Sequence, residues 1–554
     1  MRIPELPGTL YDALRWSVER NAERSLLAVP PRAGRDYLPD GWECSYTDCL
    51  RMVERLIEVY KEAGYGHGHR IALCMDNRPE HFVHMFALGA LGASLVPVNP
   101  DYRPAEAAYL LDHSEADLVI AHAPRAGMLE QAIAEADAAP PLLVVEEHAP
   151  ERPTDLGALP RALPGSRRPA PSSGPPGPGS EASLLYTSGT TGRPKGCLLS
   201  HEYELAVGSW YATVGGALEL ESGNERLYNP LPLYHVNAGV VSFLAMLATG
   251  GCQIQPDRFH PSSWWQDVTV TDATIIHYLG VVAPLLLNQP RSKWETAHRV
   301  RLGVGAGIEP TLHAEFEARF GFPMIELWGM TEAVRVLADS VPPRQVGTRA
   351  FGRPVPGLEA RVVDDADEEL PRGQPGELVV RHSAQTPRKH MFSGYLKDET
   401  ATEQAWRGGW FHTGDTVVQD PDGMLHFVDR KKNIIRRSGE NIAAAEVEAV
   451  LQAHEAVSQV AVLAVPDAVR EEEVMACIVI EAGCRERAPE GLAAELFEHV
   501  NARLAYYKAP GWILFMQSLP TTGTQKIQKH MLFAAGEDPS NREGIIDLRS
   551  RKRR

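Results

Sequence analysis

The chain is poor in basic charge. Its 554 residues carry 55 Lys and Arg against 72 Asp and Glu, a net charge of −17, so it lacks the basic face that a nucleic-acid binder needs. Seven cysteines fall at irregular spacing with no C-x-x-C pair, which excludes a disulfide frame and a cysteine zinc site and points to reduced thiols. No apolar run is long enough to cross a bilayer. The longest, 82–98, is broken by His84 and Pro97. The first residues, Met1–Pro7, have no apolar signal-peptide core, so a cytoplasmic location is expected.

What is present is ordinary globular composition, 44% hydrophobic and 23% charged, over a length that implies more than one domain. Helical spacing follows Thr9 and Ser45, each a candidate N-cap. Apolar runs at 70–75, 93–98 and 116–121 alternate with helical stretches at 78–91 and 106–113. That alternation predicts a parallel sheet covered by helices on both faces. Residues 160–180 are rich in Pro, Gly and Ser and read as an exposed loop. Alternation resumes with a helix at 239–247, strands at 273–277 and 300–305, and a helix at 310–320. From 357 to 380 the pattern becomes β. The expected class is α/β: a large N-terminal domain of parallel α/β sheets with a β-rich subdomain (1–430), and a small mobile C-terminal α+β domain (431–554).

The stretch SLLYTSGTTGRPKG (183–196) joins a short buried-strand pattern to hydroxyls, glycines and one lysine. Backbone N–H groups and hydroxyls in a turn free of bulky side chains make an anion cradle, and Lys195 adds a point charge. It is not a Walker A loop, because Gly196 stands where the magnesium-binding hydroxyl belongs. Alone, such a stretch also reads as a flexible surface loop. Four further stretches accompany it: GAGIEP (305–310), ELWGMTEA (326–333), GWFHTGD (409–415) with VDRKKNIIRRSGENI (428–442), and LPTTGTQKI (519–527).

Together these resemble, in order and spacing, the adenylate-forming superfamily of acyl-CoA synthetases, peptide-synthetase adenylation domains and luciferases. LPLYHVNAG, WGMTEA and VDRKKNIIRRSGENI give a closer resemblance to carnitine/crotonobetaine-type acyl-CoA ligases. The resemblance implies an ATP-dependent carboxylic acid–CoA ligase that forms an acyl-adenylate and releases pyrophosphate. Thioester formation with coenzyme A then releases AMP. The implied ligands are ATP, Mg²⁺, coenzyme A and a small-molecule carboxylic acid. A stand-alone enzyme loading a carrier protein and a non-catalytic nucleotide-binding relative are the alternatives, and a homodimer is left open.

Residue roles follow from the same resemblance. Thr187, Ser188, Gly189, Thr190, Thr191, Gly192 and Lys195 would hold the β- and γ-phosphates. Thr331 would contact phosphate and Glu332 would ligate magnesium, whose preference is for hard oxygens. Gly305, Ala306 and Gly307 would pass close to adenine, with Trp328 stacked on the base and Gly329 and Met330 beside it. Asp415 would accept the ribose hydroxyls and Arg430 would bind nearby. Lys526 would stabilise the adenylation transition state, Lys432 would be the hinge, and Ser438, Gly439 and Glu440 would face coenzyme A. The acyl group would lie among His235, Val236, Asn237, Gly239, His277, Tyr278, Gly280, Val281, Val334 and Arg335. That lining is mixed, which predicts a small or medium acid with some polarity. Gln525 departs from the glycine that most relatives carry before the lysine, and Trp328 replaces their commoner tyrosine.

Overall fold

The computed structural model describes residues 6–187, 193–430, 434–484, 486–520, 527, 529–534 and 537–553, without the side chains of 334–336, 429–430 and 530. The chain forms two compact units. One comprises Met1–Pro100, Leu110–Leu185 and Gly196–Asp429; the other comprises Asp101–Tyr109, Tyr186–Lys195 and Arg430–Arg554.

Helix starts follow local chemistry. Thr9 and Ser45 each cap a helix, Leu10–Asn21 and Tyr46–Glu62, through reciprocal bonds with Asp12 and Asp48. The run at 70–75 forms the strand Arg70–Cys74, flanked in parallel by Ser94–Pro97 and Leu118–His122. This sheet extends through Glu181–Thr187 and Lys195–Ser200 to Gly394–Tyr395, which pairs antiparallel at the edge. A second sheet of the large unit runs Ala333–Ala338, Met324–Met330, Leu302–Ala306, Ile275–Leu279, Arg226–Tyr228, Cys252–Ile254, Ser25–Val29, Trp42–Ser45. Its interior pairs are parallel, as buried βα repeats require. The β-rich stretch forms a third sheet of Ala350–Gly352, Leu425–Arg430, Phe411–Gln419, Gly376–Arg381 and Glu359–Val363, antiparallel at its assigned pairs.

Two helices of the large unit, Glu80–Leu91 and Ser242–Thr249, are apolar on nearly every side and buried. Phe82 stacks on Phe243 with ring centroids 3.9 Å apart. Each such ring withdraws apolar surface worth about 2–3 kcal/mol. Among the buried histidines of this unit are His81, His84, His122, His201 and His277. Burial pushes His81, His122 and His201 down to about 4, and His84 and His277 down to about 3, so all five rings are neutral at pH 7.

In the small unit, Val457–Asp467 and Glu471–Ile480 form a long antiparallel pair, and Trp512–Met516 adds in parallel. Helices Ala444–Gln452 and Pro489–Asn501 supply its apolar core. Lys508 is buried in this unit between Glu106 Oε1 at 2.6 Å and Glu446 Oε1 at 2.9 Å. The two carboxylates hold its ammonium well above the usual lysine range against the cost of burial.

Candidate active site

The strand Glu181–Thr187 is buried over Ala182–Leu185, and Thr187 ends it. Ser188, Gly189, Thr190, Thr191 and Gly192 lie outside the described residues. Lys195 opens the returning strand Lys195–Ser200. The segment 391–396 straps that strand: Leu396 N–H donates to Gly196 O at 2.8 Å and Ser393 N–H to Leu198 O at 2.8 Å. The same segment reaches the Thr331–Glu332 turn, where Phe392 N–H donates to Glu332 O at 3.1 Å.

Tyr395 in this strap donates its hydroxyl to Glu332 Oε1 at 2.7 Å. Glu332 is buried, so this bond fixes a carboxylate that water scarcely reaches. Ser200 caps the following helix, His201–Thr213, and Tyr203 on its first turn donates to Thr331 O. Strand, cap and helix in direct succession therefore hold both residues of the Thr331–Glu332 pair.

Upstream in the same stretch, Glu326 lies on the strand Met324–Met330 beside the end of Leu302–Ala306. It accepts from the N–H of Gly307 at 2.8 Å and of Ile308 at 3.2 Å, and from the Tyr278 hydroxyl. Burial pushes its carboxyl up to about 7, and the three donors pull the other way. Gly307 has φ +83°, a left-handed turn that favours glycine. Gly305 is glycine for a different reason: a Cβ there would stand 2.2 Å from Tyr278 O. Its bareness is thus required by strand packing, whatever base lies beyond. Ala306 ends the strand between them.

Trp328, buried, donates its indole N–H to Asp415 Oδ2 at 2.8 Å. Asp415 is fully buried and follows Gly414, at φ +72°. The Gly414 N–H donates to Glu377 Oε1 at 3.0 Å, and the Asp415 N–H to Thr413 Oγ1 at 3.1 Å. One stretch, Glu326 to Glu332, thereby bonds the 307–308 turn, Asp415 and the strap beside Lys195–Ser200. Gly329 and Met330 complete its strand.

On the acyl side, Asn237 opens a π-helical turn, Asn237–Val241, ahead of the helix Ser242–Thr249. A Cβ at Gly239 would meet Leu233 O at 2.4 Å, so glycine lets this turn close. His277 Nδ1 lies 2.8 Å from Asn237 Oδ1. Tyr278, next on the strand Ile275–Leu279, faces Glu326 instead. His235 and Val236 precede the turn and are half-buried. Gly280 Cα would lie 3.9 Å from a Cβ at Gly307, and Val281 is buried beside it in sequence. Val334 and Arg335 lie on Ala333–Ala338 with their side chains outside the described set.

In the small unit, Ser438 (φ +51°) and Gly439 (φ +88°) form the two-residue turn between Ile434–Arg437 and Glu440–Ala443. Arg430 ends the strand Leu425–Arg430, its side chain undescribed, and Lys432 and Lys526 lie outside the described residues. Sequence reasoning missed Tyr395, Tyr203, Glu326, Asn229 and Tyr211. Only Glu326 had a signal, being a carboxylate inside a quoted motif.

Against known proteins, residues 15–396 match the family of AMP-binding enzymes and residues 446–526 match the AMP-binding enzyme C-terminal domain. A sulfoacetate–CoA ligase from Cupriavidus necator is 34% identical over 475 residues, 85% of this chain and 88% of that protein. A crotonobetaine/carnitine–CoA ligase from Citrobacter koseri is 28% identical over 493 residues, 88% of this chain and 92% of that protein. Among solved structures, an amide bond synthetase from Marinactinospora thermotolerans superposes with TM-score 0.75 at 26% identity, covering 94% of this chain and 98% of that one. An o-succinylbenzoate CoA synthetase from Bacillus subtilis gives TM-score 0.77 at 22% identity over 94% and 98%, a likeness of fold. Matches to both family models and to CoA ligases over most of its length place this chain in the AMP-binding enzyme family, among its AMP-forming acid–CoA ligases.

Proposed function

We propose that the protein activates a small or medium, partly polar carboxylic acid with ATP and passes the acyl group to coenzyme A. One observation carries this reading: the stretch Glu326–Glu332 is bonded at once to the 307–308 turn, to Asp415 and, through Tyr395, to the strap on Lys195–Ser200. A nucleotide laid along that stretch meets base, ribose and phosphate partners in sequence. Trp328 offers a flat face to adenine, Asp415, bonded to the indole, is the carboxylate beside the ribose position, and Glu332 directs a hard carboxylate at the phosphate end.

In the first step a carboxylate oxygen of the acid attacks the α-phosphorus and pyrophosphate leaves. Anion meets anion, so positioning and positive charge are what the protein must supply. Lys195 and the loop 187–192 take the β- and γ-phosphates, and Lys526 and Arg430 bring charge to the developing transition state. Magnesium, held by Glu332, would neutralise phosphate charge; a single fixed carboxylate suits an ion that keeps several waters. In the second step the coenzyme A thiol loses its proton, its sulfur attacks the acyl carbonyl, and AMP leaves. The Ser438–Glu440 turn faces the incoming pantetheine, and Lys432 is the pivot between the two half-reactions.

The mixed acyl-side lining and the two relatives above, one named for a sulfonated acid and one for a betaine, support a substrate with a second polar group. A pyrophosphate-release screen over carboxylic acids, with and without coenzyme A, tests the reading. Preference for unsubstituted long-chain acids, or transfer to a carrier protein but never to free coenzyme A, would replace it.

A further inference from the structure

A polar chain on the acyl side has a fixed direction that can be traced from a backbone group. The N–H of Leu231 donates to Asn229 Oδ1 at 3.0 Å, so the other end of that buried amide is its NH₂. Asn229 Nδ2 then donates to Ser242 Oγ at 2.9 Å and to Asn237 Oδ1 at 3.0 Å. His277 Nδ1 lies 2.8 Å from the same Asn237 oxygen, and His277 Nε2 lies 3.0 Å from the Tyr211 hydroxyl. An amide oxygen only accepts, so Nδ1 carries the proton of this neutral ring and Nε2 accepts from Tyr211.

The consequence falls on Asn237. Its oxygen accepts from Asn229 Nδ2, whose direction Leu231 fixes and which also lies 3.4 Å from His277 Nδ1, and turning the Asn237 amide over would set NH₂ against NH₂ at that contact. Its NH₂ therefore points out of the network, and no acceptor among the described residues takes it. The residue is half-buried, on a π-helical turn, a distortion that recurs at functional sites. Asn237 and Glu326 lie on opposite sides of the strand Ile275–Leu279. Successive strand residues face opposite sides, and here Tyr278 faces Glu326 while His277 faces Asn237. With the acid laid on this side, as the ligase reading has it, the donor serves a part of the acid away from the carboxylate that meets ATP.

We propose that the Asn237 NH₂ is a locked hydrogen-bond donor that selects acids bearing an anionic or carbonyl acceptor at the end away from the activated carboxylate. It discriminates against acids ending in a quaternary ammonium, which offers no acceptor to a donor. This rests on the ligase reading above and narrows it to one substrate class.

The test compares kcat/KM for pyrophosphate release with three acids of similar length, ending in sulfonate or carboxylate, in methyl, and in trimethylammonium. Wild type, Asn237→Ala and Asn237→Asp are used after their thermal melts show that they fold. A hydrogen bond to a charged group corresponds to a preference on the order of 10- to 100-fold. Wild type should prefer the anionic-ended acid to the methyl-ended one by that factor. Asn237→Ala should bring the two within about threefold. Asn237→Asp keeps an oxygen for both donors and places a second, anionic oxygen where the NH₂ stood, so it should invert the order in favour of trimethylammonium. A preference that survives in Asn237→Ala, or a wild type that favours trimethylammonium, overturns the inference and leaves the ligase reading intact. Folded wild type that releases pyrophosphate with no acid removes both.

Discussion

Lowering the pH from 7 to 5 should destabilise the large unit steeply, because burial holds five of its histidines neutral. In the unfolded chain each ring titrates near 6.5; in the folded one the values are about 4 for His81, His122 and His201 and about 3 for His84 and His277. The unfolded state therefore binds more protons below 6.5, and stability, complete above that value, is lost as the pH falls toward 4. Between pH 7 and 5 each ring costs about 2 kcal/mol, so the five together cost about 9. Buried carboxyls act in the opposite sense, among them Asp267 and Asp339 and, most strongly, Glu204 and Glu326. Burial pushes Glu204 and Glu326 up to about 7, so the folded state takes up their protons first and regains about 4 kcal/mol over the same window. The net loss is about 5 kcal/mol. With a urea dependence of about 3 kcal/mol/M, the unfolding midpoint should fall by about 1.7 M. Tryptophan fluorescence reports it well, since of the ten tryptophans only Trp512 lies in the small unit. His84 supplies a control. Its Nδ1 lies 2.7 Å from the Tyr60 hydroxyl, and His84→Asn offers an oxygen there with no titration. That variant should flatten the profile by about 2 kcal/mol. A midpoint that stays level or rises between pH 7 and 5 would refute the reasoning.

Tyr395→Phe removes the donor that fixes Glu332, so pyrophosphate release should fall about tenfold and its magnesium requirement should rise. A magnesium titration checks this, and an unchanged half-saturation point argues against the role. Trp328→Phe keeps a flat ring but strips the indole N–H from buried Asp415; KM for ATP should rise about tenfold, with kcat moving less. Lys508→Met leaves Glu106 and Glu446 buried without their cation and should cost about 3–5 kcal/mol in urea unfolding of the small unit, followed by exchange of amides in Glu471–Ile480.

The motifs were legible because each is contiguous and each residue type states its chemistry. Their mutual bonding was not. Trp328 and Asp415 stand 87 residues apart and Glu332 and Tyr395 stand 63 apart, and no local pattern records such a pair. Tyr395 lies in the two-residue strand Gly394–Tyr395, too short to leave a periodic trace. Gly305, read as bare to let backbone approach a flat ring, has a structural cause of its own: packing against Tyr278 forbids a side chain there independently of any ligand. The helix expected at 239–247 begins as the π-helical turn Asn237–Val241, which periodicity at 3.6 residues cannot distinguish from α. The alternation of strands and helices, by contrast, was read from apolar runs and helical spacing alone, and the parallel sheets follow it closely.

Acid-dependent exchange of labelled pyrophosphate into ATP, measured without coenzyme A, tests the central claim most directly. The account predicts exchange with an acid bearing a second polar group, its abolition in Asp415→Ala, and AMP release once coenzyme A is added. Exchange with no acid tried, or release of inorganic phosphate in place of pyrophosphate, would contradict it.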